Sequence, residues 1–157
     1  FKRIEAINYT LEHDDGEGQK NLELADVIIV GVSRTSKTPT CIYLANKGIK
    51  AANYPLVPDI GVSKELDEVK SPTVVALITS AQTLVEIRRK RSLELGLKDK
   101  ETDYINVHKV EEEIIAAKRI FANKGWPVID ITRRSVEETA SAIMNIISLK
   151  EKKENEQ

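Results

Sequence analysis

"ADVIIVGVSRTSKTP", residues 25–39, decides how the rest of the chain is read. Val27 to Val30 is a short, unbroken, β-branched run, the pattern of a strand covered on both faces. Directly after it come Gly31, Val32, Ser33, Arg34, Thr35, Ser36, Lys37 and Thr38. A phosphate-cradling loop of the form G-x-x-x-x-G-K-[ST] needs glycine first and sixth, then lysine and a hydroxyl residue. Gly31, Lys37 and Thr38 match at that spacing, and Ser36 replaces the second glycine. From about Lys37 to Lys47 the chain reads as a helix closed by Gly48. Pro39 is tolerated in the first turn, whose N–H groups lack helical partners anyway. Strand, loop and helix in this order bring backbone amides and the positive helix end onto one anion. Lys37 would meet the β-phosphate, and Thr38 could hold Mg²⁺ through its hydroxyl. Arg34 could clamp a transferring phosphoryl group bidentately. The same residues also allow an ordinary strand-to-helix turn with a serine N-cap. Ser36 stands where such loops often need a glycine's freedom in φ.

Further out, Ile4, Ile7 and Leu11 fall at helical spacing within residues 3–12. "HDDGEGQK" (13–20) breaks that helix with acids and glycines. A second strand lies in "IKAANYPLV" (49–57), a third in "TVVALIT" (73–79) and a fourth in "WPVIDIT" (126–132). Residues 81–95 read as a basic helix with Leu84, Ile87 and Leu95 near one stripe. Residues 103–123 read as a long amphipathic helix with Ile105, Val110, Ile114 and Ala117 inward, ended by Lys124 and Gly125. "SVEETASAIMNII" (135–147) opens with a capping box, Ser135 as N-cap and Glu138 three residues later. The order α-β-α-β-β-α-α-β-α predicts an α/β fold, a mainly parallel sheet flanked by helices, P-loop-containing and kinase-like. Residues 58–72 are the longest irregular stretch and read as a mobile loop near the site.

The 157 residues, 41% hydrophobic and 31% charged, suit one soluble domain with a real core. That domain is expected over residues 1–149, with "KEKKENEQ" (150–157) as a charged, disordered tail. The chain starts at Phe1 in mid-helix, which suggests a fragment lacking an N-terminal region. A net charge of −1 offers no positive field for nucleic acid. No apolar run approaches the roughly 20 residues of a membrane helix. The one cysteine, Cys41, excludes an internal disulfide, fits a reducing, cytoplasmic setting and is expected inside. Without a Cys/His cluster no dedicated metal centre is expected. Oligomeric state is not legible; a homodimer is the common default.

Four blocks, taken in order along the chain, resemble the family of pyruvate, phosphate dikinase regulatory proteins, which also contains the phosphoenolpyruvate synthase regulatory proteins. They are "HDDG" (13–16), "ADVIIVGVSRTSKTPTCIYLANKGIKAANYPLVP" (25–58), "TLVEIRRKR" (83–91) and "GWPVIDITRRSVEETA" (125–140). In this family the dikinase branch often carries "RTSKTP" and the synthase branch "RCGKTP", which favours the dikinase branch and accounts for Ser36. The resemblance implies a bifunctional enzyme. One activity phosphorylates a threonine of the dikinase with ADP as donor. The other removes that phosphate with inorganic phosphate, releasing pyrophosphate.

Phosphoryl transfer of this kind needs a base near the loop. His13, Asp14 and Asp15 are adjacent titratable groups on one turn, and two neighbouring carboxylates can divide the roles of base and metal ligand. Asp15 is the preferred base; a solvated acidic loop is the alternative. Arg88 and Arg91 lie three apart on one helical face and could meet the second phosphate or the nucleotide; a solvated basic face would read the same. Asp130 reads best as a strand-end turn residue, His108 as exposed, and Trp126 as an anchor for the last strand. Three alternatives remain at this stage: a phosphoenolpyruvate synthase regulator with the same chemistry, an ATP-dependent small-molecule kinase and a nucleotide-sensing module without transfer.

Overall fold

The computed structural model describes residues 1–14, 21–96 and 104–156. Four strands form one sheet: β1 (Val27–Gly31), β2 (Ala51–Pro55), β3 (Thr73–Ile78) and β4 (Val128–Asp130). The sheet order is β2-β1-β3-β4 and every pairing is parallel, with Ile28 opposite Ala52 on one side and Val74 on the other. The α/β, parallel-sheet prediction therefore holds. Around the sheet lie α1 (Lys2–Glu12), α2 (Lys37–Asn46), the short α3 (Lys64–Glu68), α4 (Ala81–Glu94), α5 (Val107–Lys124) and α6 (Val136–Asn155).

All five residues of β1 are buried, and its side chains alternate between two cores. Ile28 and Val30 meet Leu84 and Val85 of α4 and Val110, Ile114, Ala117 and Phe121 of α5. Val27 and Ile29 meet Cys41 and Leu44 of α2 and Ala140 and Ile143 of α6. Period-two alternation along a strand covered on both faces produces this split. The chain leaves β1 toward β2 on one side, then crosses back to β3 on the other. That reversal sets a crevice at the carboxyl end of β1, the usual ligand position in open parallel sheets.

Four expectations change. The strand-flanking stretch 58–72 contains α3, because Ser63 accepts the Leu66 N–H and Leu66 is fully buried. Helix α4 buries Leu84, Val85 and Arg88, leaving Ile87 and Leu95 outside. A paired guanidinium fills the place expected for an aliphatic side chain. Helix α5 begins at Val107, where Asn106 caps the His108 and Lys109 amides; the expected start at Asp103 lies outside the described residues. The disordered tail is also corrected, since α6 continues to Asn155. Lys150 Nζ donates to the carbonyls of Ser71 (2.9 Å) and Pro72 (3.0 Å), anchoring a run of good helix formers.

Candidate active site

Gly31 ends β1 at a position that admits no side chain. A Cβ there would lie 2.7 Å from Thr35 Oγ1 and 3.0 Å from the Leu77 carbonyl. Two of the next residues, Arg34 (φ 70°) and Ser36 (φ 61°), adopt the left-handed backbone, while Thr35 between them does not. Alternation of this kind folds successive N–H groups into an anion-binding nest. Left-handed non-glycine residues concentrate at functional loops, where surrounding structure holds them. Among the described non-glycine residues only Asn21 shares this backbone. Ser36 thus takes the conformation for which the loop pattern reserves a glycine.

The loop is tied down from inside. Thr35 Oγ1 donates to the Val32 carbonyl at 2.8 Å. The buried Lys37 folds its ammonium under the loop, donating to the Val32 carbonyl (2.8 Å) and Thr35 Oγ1 (3.4 Å). Ser36 makes no side-chain cap on α2, and the first turn of α2 contains no acid. The first residue of this helix is thus a lysine, at the end where the helix dipole favours anions. A cleft of about 350 Å³ opens here, lined by Ser33 through Pro39, with Asn53, Pro55 and Ile87 across from them. That volume lies at the small end of the range for ligand sites.

Thr38 connects the loop to the end of α1. Its Oγ1 donates to Asp14 Oδ1 at 2.9 Å, and Asn53 Nδ2 donates to both Asp14 Oδ1 (2.8 Å) and Thr38 Oγ1 (3.0 Å). Asn53 is 4% exposed, and its own Oδ1 is buried without a hydrogen-bond partner. Carboxylate, hydroxyl and amide oxygens are the hard donors that Mg²⁺ prefers. Among the described residues no group of three His, Cys, Asp or Glu could hold a metal by itself.

The other predicted site residues divide. Arg34 is exposed and lines the cleft. His13 is buried 7% exposed at the end of α1, stacked on the Tyr9 ring at 3.9 Å between centroids. Its Nδ1 lies 2.8 Å from the Tyr9 carbonyl, which can only accept, so Nδ1 carries the proton. Asp15 lies outside the described residues. Arg91 is exposed on α4, one turn beyond the cleft-lining Ile87, with its guanidinium 4.0 Å from the Glu94 carboxylate.

Arg88 differs from its expected place. It is 1% exposed, and its guanidinium forms a two-bond fork with Glu113 (2.7 and 3.0 Å). It also donates to the carbonyls of Ser33 and Tyr104 and stacks over the Tyr104 ring at 4.4 Å. Its charge is spent on the protein, and it braces the loop from behind through Ser33. Tyr104 adds a second brace, its hydroxyl 3.1 Å from Ser33 Oγ. Asp130 makes the expected turn: its carboxylate accepts from the Thr132 hydroxyl and amide, which hold it below the ordinary carboxylate range.

Asn53, Tyr104 and Glu113 escaped the sequence reading. Only Asn53 left a signal, as a lone amide in the otherwise apolar and aromatic strand "AANYP".

The sequence model of the kinase/pyrophosphorylase family matches residues 1–144. A protein of Caulobacter vibrioides named "Putative pyruvate, phosphate dikinase regulatory protein" is 57% identical over 148 residues, 94% of this chain and 47% of the relative. Relatives with the same name from Bartonella tribocorum (54% identical, 94% of this chain, 53% of the relative) and Rhodopseudomonas palustris (46%, 99% and 56%) align similarly. The chain spans about half the length of the curated relatives it matches. No helix among the described residues is long and apolar enough to cross a membrane. A phosphate-type loop at the carboxyl end of β1 and a match over nearly the whole sequence agree: the chain belongs to the kinase/pyrophosphorylase family.

Proposed function

We propose that this chain carries the phosphoryl-transfer centre of a bifunctional regulator of pyruvate, phosphate dikinase. The observation that supports it best is the loop Gly31–Thr38, with Lys37 beneath and Thr38 joined to Asp14 at its rim. Relatives over half identical that bear the dikinase regulator name supply the target. In the forward direction the hydroxyl oxygen of a target threonine attacks the β-phosphorus of ADP. The bond to the bridging oxygen breaks, and AMP leaves with that oxygen. In the reverse direction an oxygen of inorganic phosphate attacks the phosphothreonine phosphorus, the bond to the threonine oxygen breaks, and pyrophosphate leaves. Both are in-line displacements at phosphorus, so one pocket serves both.

The loop amides, Lys37 and Arg34 take the charge that spreads over the phosphoryl oxygens. The carboxylate pair of Asp14 and Asp15 divides two tasks. Asp14 orients Thr38, and Asp15, its neighbour in the chain, accepts the threonine proton and returns it in the reverse reaction. Mg²⁺, if carried in by the diphosphate, would supply charge neutralisation, held by Thr38 and Asp14. Incubation with the dikinase and ADP labelled at its β-phosphate tests this. Label is expected on threonine with ADP, absent with γ-labelled ATP, and released as pyrophosphate when phosphate is added. Transfer from ATP to a small acceptor without the dikinase would overturn the proposal.

A further inference from the structure

Thr38 has one hydroxyl proton, and it is committed. The nearby Asp14 carboxylate can only accept, so the 2.9 Å contact requires Thr38 to donate. The Asn53 amide is fixed by the same partner. Turned over, its carbonyl would face Asp14 Oδ1 across 2.8 Å, acceptor against acceptor, so the NH₂ group must point inward. In that orientation one N–H lies between Asp14 Oδ1 and Thr38 Oγ1 and is shared by both, because the three atoms form a near-equilateral triangle (2.8, 2.9 and 3.0 Å), and Asn53 Oδ1 is left buried without a partner. Buried polar atoms are nearly always satisfied, and an apolar side chain of the same volume would avoid the loss. Asn53 sits in the middle of β2, and its backbone N–H donates to the His13 carbonyl at 3.0 Å, locking the strand to the turn that carries Asp14. One residue thus joins the end of α1, the start of α2 and β2.

The Thr38 oxygen has given its proton to Asp14, and one lone pair takes its share of the Asn53 N–H. One lone pair remains. Toward a ligand it can accept a proton or bind a cation, and it repels a bare phosphate oxygen. We infer that Asn53 is a positioning residue: together with Asp14 it fixes the Thr38 hydroxyl as an acceptor, which selects a nucleoside diphosphate bearing its divalent cation over the bare diphosphate. This rests on the proposed phosphate-loop function and adds the form in which the diphosphate is taken.

Calorimetry of ADP binding to the purified chain, with Mg²⁺ and with EDTA, tests it without requiring turnover. The parent should bind ADP more tightly with Mg²⁺. Asn53→Ala should cut that Mg²⁺-dependent gain by about tenfold, the usual effect of removing a group that orients a metal ligand. Affinity in EDTA should stay within about twofold, since a cycle between independent groups is additive. In an Asp14→Asn background the Asn53 change should have little further effect. Asn53→Leu keeps the volume and serves as the second variant if alanine does not fold. Equal weakening in both conditions, or additive effects with Asp14→Asn, would overturn the inference. So would a parent whose ADP affinity ignores Mg²⁺. Lys37→Ala separates the two claims: it should weaken binding in EDTA as well, and if it does not, the loop itself is misassigned.

Discussion

Four of the described helices begin at a serine, and two of them, α2 and α6, begin in opposite ways. At α6, Ser135 has extended backbone (φ −74°, ψ 165°), accepts the Glu138 amide at 3.1 Å, and is capped in return by the Glu138 carboxylate. Glu137 and Glu138 answer the positive helix end. At α2, Ser36 is left-handed (φ 61°, ψ 27°), caps nothing, and precedes Lys37 rather than an acid. The first start is finished by its own sequence. The second is shaped by its neighbours, with Thr35 and Lys37 tied to the Val32 carbonyl. The lesson is that a serine before a helix is not a cap by default; the backbone region it occupies decides whether its oxygen can reach the first turn.

Four substitutions sharpen or break this contrast. The largest effect is expected at the brace. Glu113→Ala leaves the Arg88 guanidinium buried without its counter-charge, at a cost of about 3 kcal/mol, the lower end for a broken buried pair because Glu113 is partly exposed. A lowered urea midpoint with unchanged slope checks it, and no change would remove Arg88 as the loop's support. Next, Lys37→Ala should weaken ADP binding by about 1.5–3 kcal/mol through loss of a charge-assisted contact, measured by calorimetry. Ser135→Ala should cost about 1 kcal/mol of stability, with ADP affinity untouched. Smallest, Ser36→Gly removes left-handed strain but frees the unfolded chain, for a net gain of about 0.5 kcal/mol. Its ADP affinity should be retained. If Ser36→Gly instead destabilises as Ser135→Ala does, the two starts are alike and the contrast fails.

Much of this architecture was legible beforehand. The branched strand Val27–Val30, the helix that begins at Lys37 and the Ser135–Glu138 box are local patterns, and each forms as expected. What stayed hidden is long-range. Arg88 and Glu113 are 25 residues apart, and only the packing of α4 on α5 shows that the arginine is consumed inside the protein. Asn53 meets Asp14 across 39 residues, through strand pairing that no periodicity reveals. Charged residues on a helix look alike in sequence whether they face solvent, a ligand or a buried partner. The tail beyond Leu149 was misjudged for a related reason: its composition matches a disordered segment, but Lys150 finds carbonyls at 71 and 72 to anchor the helix.

The central claim is that the loop between β1 and α2 grips the diphosphate. A titration of ¹⁵N-labelled protein with Mg²⁺–ADP, followed by amide shifts, tests it residue by residue. The largest shifts should fall at Ser33 through Thr38, with the amides at Ser135 through Glu138 unmoved. Shifts gathered elsewhere, with the loop amides silent, would contradict the account.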